Sequence, residues 1–349
     1  MSTSTLNRYR LPFENQQRLP ELESHLAELE ARYASAKAGQ EPALAEIAEQ
    51  VRGLRRELIG LTRKIYANLT PWETVQVSRC DARPQTRDYI GLIFDQFVEL
   101  HGDRAVGDDA AVVTGFAHLG EQKLLLVGHQ KGKTLSERQG TNFGCAHPEG
   151  YRKALKNMKL AEKLGLPIVC LIDTPGAYPG IKAEERGQAL VIAENLMEMS
   201  RIDTPIVCVV IGEGGSGGAL GIGIGDKVAM LEHSYYSVIS PEGCATILWK
   251  GAEHAERAAS ALRMTSRDLH RMGIIDEVIL EPLGGAHRDH REAGVNLKAY
   301  LLRALREIAE IPRDRLLDHR YAKFRNLGMF FEGEPTQNGL AAEIEPASS

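Results

Sequence analysis

The spacing of hydrophobic positions changes along this chain, and the change divides it. Between residues 18 and 69 the apolar positions keep a helical step. Leu19, Leu22, Leu26, Leu29 and Tyr33 advance by three and four, and after a break over 39–42 so do Ile47, Val51, Leu54, Leu58, Leu61 and Ile65. Glu, Arg and Lys occupy the other faces, which makes the pattern an a/d seam. The spacing predicts two antiparallel helices closing on each other over 18–70, a hairpin that also contributes to assembly. A seam offered wholly to another subunit is the alternative.

From about residue 86 short apolar runs of strand length replace the heptads, at 110–117, 123–129, 167–173, 205–211, 227–232, 235–239 and 274–280. Helical stretches at 149–164 and 184–200 lie between them. Strand alternating with helix implies an α/β domain over 71–325, with parallel strands and right-handed crossovers. Two of the runs are near copies. Leu166-Pro-Ile-Val-Cys-Leu-Ile-Asp173 and Thr204-Pro-Ile-Val-Cys-Val-Val-Ile211 each lead into glycine. Adjacent parallel strands ending at one sheet edge would bring Gly176 close to the loop Gly214 to Gly218, at the edge where open α/β sheets bind ligands. Residues 1–17 and the polar, Gly/Pro/Ser-containing 326–349 are expected to be unstructured extensions.

The glycine cluster carries the chemistry. Gly212, Gly214, Gly215, Gly217 and Gly218 follow a strand-like run and precede a small-residue helix. Glycine allows a sharp turn and close approach to bare main chain, and first-turn amides lack internal partners. An anion could be held there without a charged side chain. The segment also fits G-x-G-x-x-G, a dinucleotide fingerprint, and G-x-S-x-G, a nucleophile elbow around Ser216. Asp173-Thr-Pro-Gly176 has the D-x-x-G form of GTPases. However, Gly128-His-Gln-Lys-Gly-Lys-Thr134 places three residues between its glycines where a phosphate loop needs four, and no N-K-x-D element occurs. His129, Lys131 and Lys133 could receive a phosphate or carboxylate, or merely mark a solvated strand-to-loop junction. Tyr178 and Glu184-Glu-Arg-Gly187 could line the same cleft, although a charged helix start explains the latter equally well.

Composition narrows these options. Forty-three per cent apolar and 26% charged residues describe an ordinary globular chain of 349 residues. A net charge of −5 argues against a general binder of nucleic acid or anionic membrane. No apolar run reaches the roughly 18 residues that span a bilayer, and the N-terminus shows no signal core, so cytoplasm is expected. Five scattered cysteines without a C-x-x-C pair fit a reducing compartment and make a metal site in this chain unexpected.

Longer motifs then point to one family. Gly128-His-Gln-Lys-Gly132, Asn142-Phe-Gly144, Pro148-Glu-Gly-Tyr-Arg-Lys-Ala-Leu155, Ile172-Asp-Thr-Pro-Gly-Ala-Tyr-Pro-Gly180 and Glu184-Glu-Arg-Gly-Gln188 are five of them. Val210-Ile-Gly-Glu-Gly-Gly-Ser-Gly-Gly-Ala219, Tyr236-Ser-Val-Ile-Ser-Pro-Glu-Gly-Cys244 and Glu281-Pro-Leu-Gly-Gly-Ala-His287 complete the set. Together they resemble the bacterial acetyl-CoA carboxylase carboxyltransferase alpha subunit, in order, over about residues 45 to 325.

The resemblance implies a crotonase-like spiral of β-β-α units rather than a dinucleotide-binding domain. It implies a zinc-bearing beta subunit as partner in an α2β2 assembly, together with a biotin carboxyl carrier protein and an ATP-using biotin carboxylase. The reaction implied is transfer of the carboxyl group from carboxybiotin, held on the carrier, to acetyl-CoA, giving malonyl-CoA for fatty-acid synthesis. Carboxybiotin would release CO2 and leave charge on the ureido oxygen; the freed biotin nitrogen, or a group near it, would take an α-proton from acetyl-CoA, and the resulting enolate would attack CO2. By resemblance, the amides of Gly217 and Gly218 form an oxyanion hole, with Gly176 and Ala177 facing the same cleft. Gly214, Gly215, Tyr178, Lys131, Lys133 and His129 are expected to contact substrate. A non-catalytic scaffold subunit and a Ser216 hydrolase are the alternatives.

Overall fold

Eight strands, all but one in a single row, form the sheet that places the glycine loops. The computed structural model describes residues 11–14, 18–35 and 41–328. Two helices, α1 (Leu19–Ser35) and α2 (Glu41–Ala67), come first, then the short α3 (Pro71–Ser78) and α4 (Thr86–Ile93). The strands are β1 (Gln96–Glu99), β2 (Val112–Leu119), β3 (Gln122–His129), β4 (Ile168–Thr174), β5 (Ile206–Gly215), β6 (Lys227–Leu231), β7 (Tyr235–Ser237) and β8 (Glu277–Ile279). Helices α5 (Leu135–Gly140), α6 (Pro148–Lys163), α7 (Ile181–Glu185), α8 (Gln188–Met199) and α9 (Ser216–Leu220) connect β3 through β6. After β7 follow α10 (Pro241–Trp249), α11 (Ala255–Leu262), α12 (Ser266–Arg271), α13 (His290–Ala309) and α14 (Arg313–Arg325).

The spatial order is β1-β2-β3-β4-β5-β6-β8, with β7 added to the far end of β5. The first two pairings are antiparallel and the rest parallel. The central parallel strands read as unbroken apolar runs because both their faces are covered. Every residue of β4 and β5 is buried. Their side chains alternate between two cores, as the two-residue strand period requires. Ile168, Cys170 and Ile172 meet Tyr151, Ala154 and Met158 of α6. Val169 and Leu171 belong instead to the core containing Leu297, Leu301 and Leu305 of α13. Leu124 of β3 joins this second core and Leu125 the first.

The expected strands and helices are present, shifted by a few residues, with two differences. Strand β1 escaped the pattern because its four residues alternate between exposed and half-buried on a sheet edge. The expected helix at 184–200 is two helices, broken at Gly187, whose φ of 82° stops one turn and starts another. Helices start where local chemistry satisfies their first amides: Thr70 with Glu73, and Thr134 with Glu137, form reciprocal capping boxes.

The heptad segment closes on itself. Leu26 and Leu29 of α1 pack on Val51, Leu54 and Leu58 of α2, and Arg55 pairs with Glu30 across the hairpin at 2.7 Å. Within the segment expected to be an N-terminal extension, Leu11 and Phe13 are buried against Tyr66. The remainder of that extension (1–10 and 15–17), like residues 329–349 of the expected C-terminal tail, lies outside the described residues. At the other end, Arg320 of α14 is 1% exposed and grips Asp226 through two 2.8 Å bonds. It also donates to the carbonyls of Met199, Ile202 and Thr204, fastening the last helix to the loops before β5 and β6.

Candidate functional site

Strands β4 and β5 run side by side with Ile168 opposite Ile206, and a register shift near Ile172 brings Thr174 opposite Gly214. Both strands therefore deliver their glycine loops to one edge of the sheet. The loops touch through bare main chain. A Cβ on Gly215 would collide with the Pro175 carbonyl and lie 2.9 Å from Gly176 N. A Cβ on Gly218 would lie 2.5 Å from Ala177 N and 2.9 Å from Gly176 Cα. No side chain fits at either contact, so glycine at both positions is required by the approach itself.

Ser216 carries the chain around the turn with φ 49° and opens α9. Gly217 and Gly218 are the second and third residues of that helix, so their amides have no intrahelical acceptor. No side chain caps them either. Five residues make too short a helix for a large macrodipole; what the turn presents is individual N–H donors. Gly217 is partly exposed, and a Cβ there would meet only Ile192, at 3.8 Å.

The partner loop is braced from inside. Thr174 Oγ1 donates to the carbonyl of Gly144 or of Gly176, at 2.7 and 2.8 Å, and accepts the Gly176 amide at 3.1 Å. The Gly176 N–H therefore points into its own loop, and its part is to allow close packing. The Ala177 amide, next in the chain, has no acceptor among the described residues. Tyr178 stacks on His147, with ring centroids 4.1 Å apart and planes 18° from parallel.

Behind the loops lies a charged network. Lys131 reaches Asp173 at 2.7 Å and also pairs with Glu213. Those carboxylates stand immediately before the two glycine loops, and Asp173 also accepts the amide of Glu213 at 2.9 Å. Arg79 of the α3 C-terminus holds the other Glu213 oxygen at 2.7 Å and Glu242 at 2.5 Å. Burial alone would raise the Glu213 pKa, but Lys131 and Arg79 outweigh it and bring it down to about 2. Burial opposes the charge of Lys131 as well, and its two carboxylates more than compensate, holding it above the ordinary lysine value. Arg79, Arg83, Lys131, Asp173 and Glu213, with Phe143 at φ 56°, border a cavity of about 220 Å3 that reaches Pro175.

Several expected contacts take other roles. His129 is fully buried with neither ring nitrogen hydrogen-bonded. Burial, and then the nearby Lys131 charge, lower its pKa to about 3. It is a neutral core residue and not a substrate ligand, because the last residue of β3 turns inward. Lys131 is committed to two carboxylates, and Lys133 pairs with Asp88 at 2.6 Å on the surface. Gly214 and Gly215 are buried at the end of β5, Gly214 against the Tyr236 ring. Sequence reasoning missed the Lys131–Asp173–Glu213–Arg79 network. Its only signal was an acid at the end of each of two strands with otherwise apolar interiors. Ser216 Oγ has no hydrogen bond to any histidine among the described residues, so a hydrolytic couple is not assembled. Those residues also hold no group of three or more His, Cys, Asp or Glu side chains able to bind a metal ion, and no helix long and apolar enough to cross a membrane.

Comparison with known proteins shows the family and the fold. A family model described as acetyl co-enzyme A carboxylase carboxyltransferase-like matches residues 19–328. The acetyl-coenzyme A carboxylase carboxyl transferase subunit alpha of Rhodopirellula baltica is 58% identical over 312 residues, 89% of this chain and 98% of that protein. The protein of the same name from Thermus thermophilus is 47% identical over 89% of this chain and 99% of its own. Among solved structures, the transcarboxylase 12S hexamer core superposes with a TM-score of 0.51 at 22% identity, over 63% of this chain and 42% of that one. The beta subunit of Pseudomonas aeruginosa geranyl-CoA carboxylase gives 0.52 at 18% identity, over 70% and 46%. This chain thus spans less than half of either longer chain. At those identities the likeness is one of fold, and the fold is crotonase-like.

Proposed function

The chain belongs to the family of acetyl-coenzyme A carboxylase carboxyl transferase alpha subunits, and from that membership we propose that its two glycine loops hold the oxygen that gathers charge as the carboxyl group is transferred. The observation that supports this reading is the contact of Gly218 with Gly176 and Ala177, which brings together two loops whose amides at Ala177, Gly217 and Gly218 lack partners. Donors already aimed, and unable to titrate, stabilise a developing oxyanion without reorganising.

The carboxyl donor of an acetyl-CoA carboxylase is carried on biotin, which when bound supplies the carboxyl group and a urea-like oxygen to receive hydrogen bonds. The loops fit such a group. The Gly217 side is open to within 3.8 Å of Ile192, and the amides of Ala177, Gly217 and Gly218 are the free donors. In this reading those three hold the ureido oxygen. Gly176, named with them from the sequence, serves the approach instead of donating. Thr174 fixes one loop, and the Lys131 bridge fixes both at their roots. Tyr178, stacked on His147, forms one wall of the cleft.

The wider assignment follows the family. Carboxyl transfer runs from carboxybiotin on a carrier protein to acetyl-CoA and gives malonyl-CoA. A zinc-bearing beta subunit completes the site in an α2β2 complex, a separate biotin carboxylase uses ATP to load the carrier, and the setting is cytoplasmic. The test is carboxyl transfer between malonyl-CoA and biocytin, with this chain alone and then with a cognate beta subunit. Activity confined to the mixture is expected. An inactive, co-purifying complex would overturn the catalytic reading.

A further inference from the structure

A second concavity shares no residue with the glycine cleft. It is an open groove of about 550 Å3 between the segment after β1 and the outer face of α6, bordered by Leu100, Arg104, Lys156, Lys159, Leu160 and Lys163. Four cations thus face it in a chain whose net charge is −5. Only one carboxylate borders it, Glu99, and that is held by two hydrogen bonds from Arg87 at 2.7 and 3.0 Å. Lys159 has Glu198 at 2.7 Å. Lys156 points its ammonium at the carbonyl of Gly102. Arg104, Lys156 and Lys163 have no carboxylate within ion-pair distance among the described residues.

The groove is also firmly built. Asp103 Oδ1 accepts the amides of Ala105, Val106 and Gly107 at 2.8–2.9 Å, while its other oxygen takes Arg152 at 2.8 Å. Arg104 therefore projects from a loop wound tightly around one carboxylate, at φ 66°. Burial, and then the Arg104 charge, push the Lys156 pKa below the ordinary lysine value. Asp103 and Asp108 offset only part of this, so the cations are incompletely balanced from within.

We propose that this groove binds a nucleoside diphosphate, its phosphates on Arg104, Lys156 and Lys163 and its base against Leu100 and Leu160. Lys156 and Lys163 are seven residues apart on one helix, about 10 Å along its axis at 1.5 Å per residue. Both lie on one face of the helix, and their long side chains can converge on the phosphates of one ligand; what separates a nucleotide from a lone phosphate here is the apolar surface beside them. The two leucines supply the apolar surface that a base needs, and the volume accommodates one nucleotide.

Titration calorimetry of the full chain with ADP, adenosine and inorganic phosphate tests the proposal. Expected is measurable ADP binding, with adenosine and phosphate each at least tenfold weaker. Arg104→Glu combined with Lys163→Glu, both at exposed positions, should weaken ADP binding at least tenfold. Lys123→Glu, an exposed charge reversal on β3, should change it less than twofold. Should the double variant not fold, Lys163→Glu alone is expected to weaken ADP at least threefold. No heat with ADP, or an affinity unchanged by the groove substitutions, overturns the assignment.

Discussion

Gly218 packs directly on Gly176, so closely that a methyl group on Gly218 would stand 2.9 Å from the Gly176 α-carbon. Gly217, one residue earlier, has only Ile192 in reach, at 3.8 Å. The two neighbours are therefore separable by mutation. Gly218→Ala must push the β4 loop away and move the Ala177 amide with it. Removing one oxyanion donor elsewhere costs about 10²–10³ in rate, and a comparable fall in kcat is expected here. Gly217→Ala keeps its amide and has room for the methyl, so the complex should retain activity within about tenfold. Steady-state kinetics of the two variants with the beta subunit present, alongside thermal melts, make the comparison. Equal losses in both would refute the assignment of the contact to Gly218.

That contact was legible before any coordinates, and the reason is physical. Two near-identical apolar runs, each ending in glycine, can hardly be anything but neighbouring buried strands, and neighbouring parallel strands end at the same edge. The hairpin was equally plain, because Leu26, Leu29, Val51 and Leu54 keep their spacing through both helices. What stayed hidden depends on partners remote in sequence. Arg320 is an unremarkable residue of a charged helix until Asp226, 94 positions earlier, meets it. His129 looked like a ligand because it precedes Lys131 and Lys133, whereas β3 is covered on both faces from Leu124 to His129 and its last residue is buried. Lys131 looked like an anion site for the same reason, and the Asp173 and Glu213 that claim it lie 42 and 82 residues further on.

The Ser216 hydroxyl tests the rejected alternative. Its backbone angle of 49° is of the strained kind found at nucleophile turns, yet no histidine is hydrogen-bonded to it. Ser216→Ala should leave carboxyl transfer within about threefold of the parent. A loss of a thousandfold or more would reinstate a nucleophilic serine.

Lys131 joins the roots of both loops through Asp173 and Glu213. Lys131→Met leaves two carboxylates facing each other with one cation removed, and breaking a buried pair in this way costs about 3–5 kcal/mol. Arg79 still holds Glu213, so loss at the lower end is expected. A chemical denaturation curve measures it. Because the lysine acts through loop placement, kcat should fall while KM for the CoA substrate moves little. A rise in KM with kcat intact would instead restore Lys131 as a substrate ligand.

Acid sensitivity should come from buried histidines that fold neutral, chiefly His129 and His287, with His233 lowered by burial in the same direction against the pull of Glu281 and Glu232. Burial is the main cause at His129 and His287. It lowers His129 to about 3, with help from Lys131, and His287 to about 3, with help from Arg288 and Arg83. In the unfolded chain both return to about 6.5. Between those values the unfolded state binds the extra protons, so stability falls as pH drops through that window and is flat above it. Each group contributes up to about 1.4 kcal/mol per pH unit, hence about 2 kcal/mol apiece between pH 7.5 and 5. Glu213 and Glu281 do not confuse this range. Both are lowered to about 2 in the fold, so the stability they add is complete above about pH 4.5 and is lost only as the pH falls from there towards 2. Urea denaturation at pH 7.5 and at pH 5.0 should show the loss. His129→Asn should remove its share, at most about half, of the pH-dependent part, because asparagine carries no proton in either state. An unchanged slope would mean that His129 is protonated in the native protein.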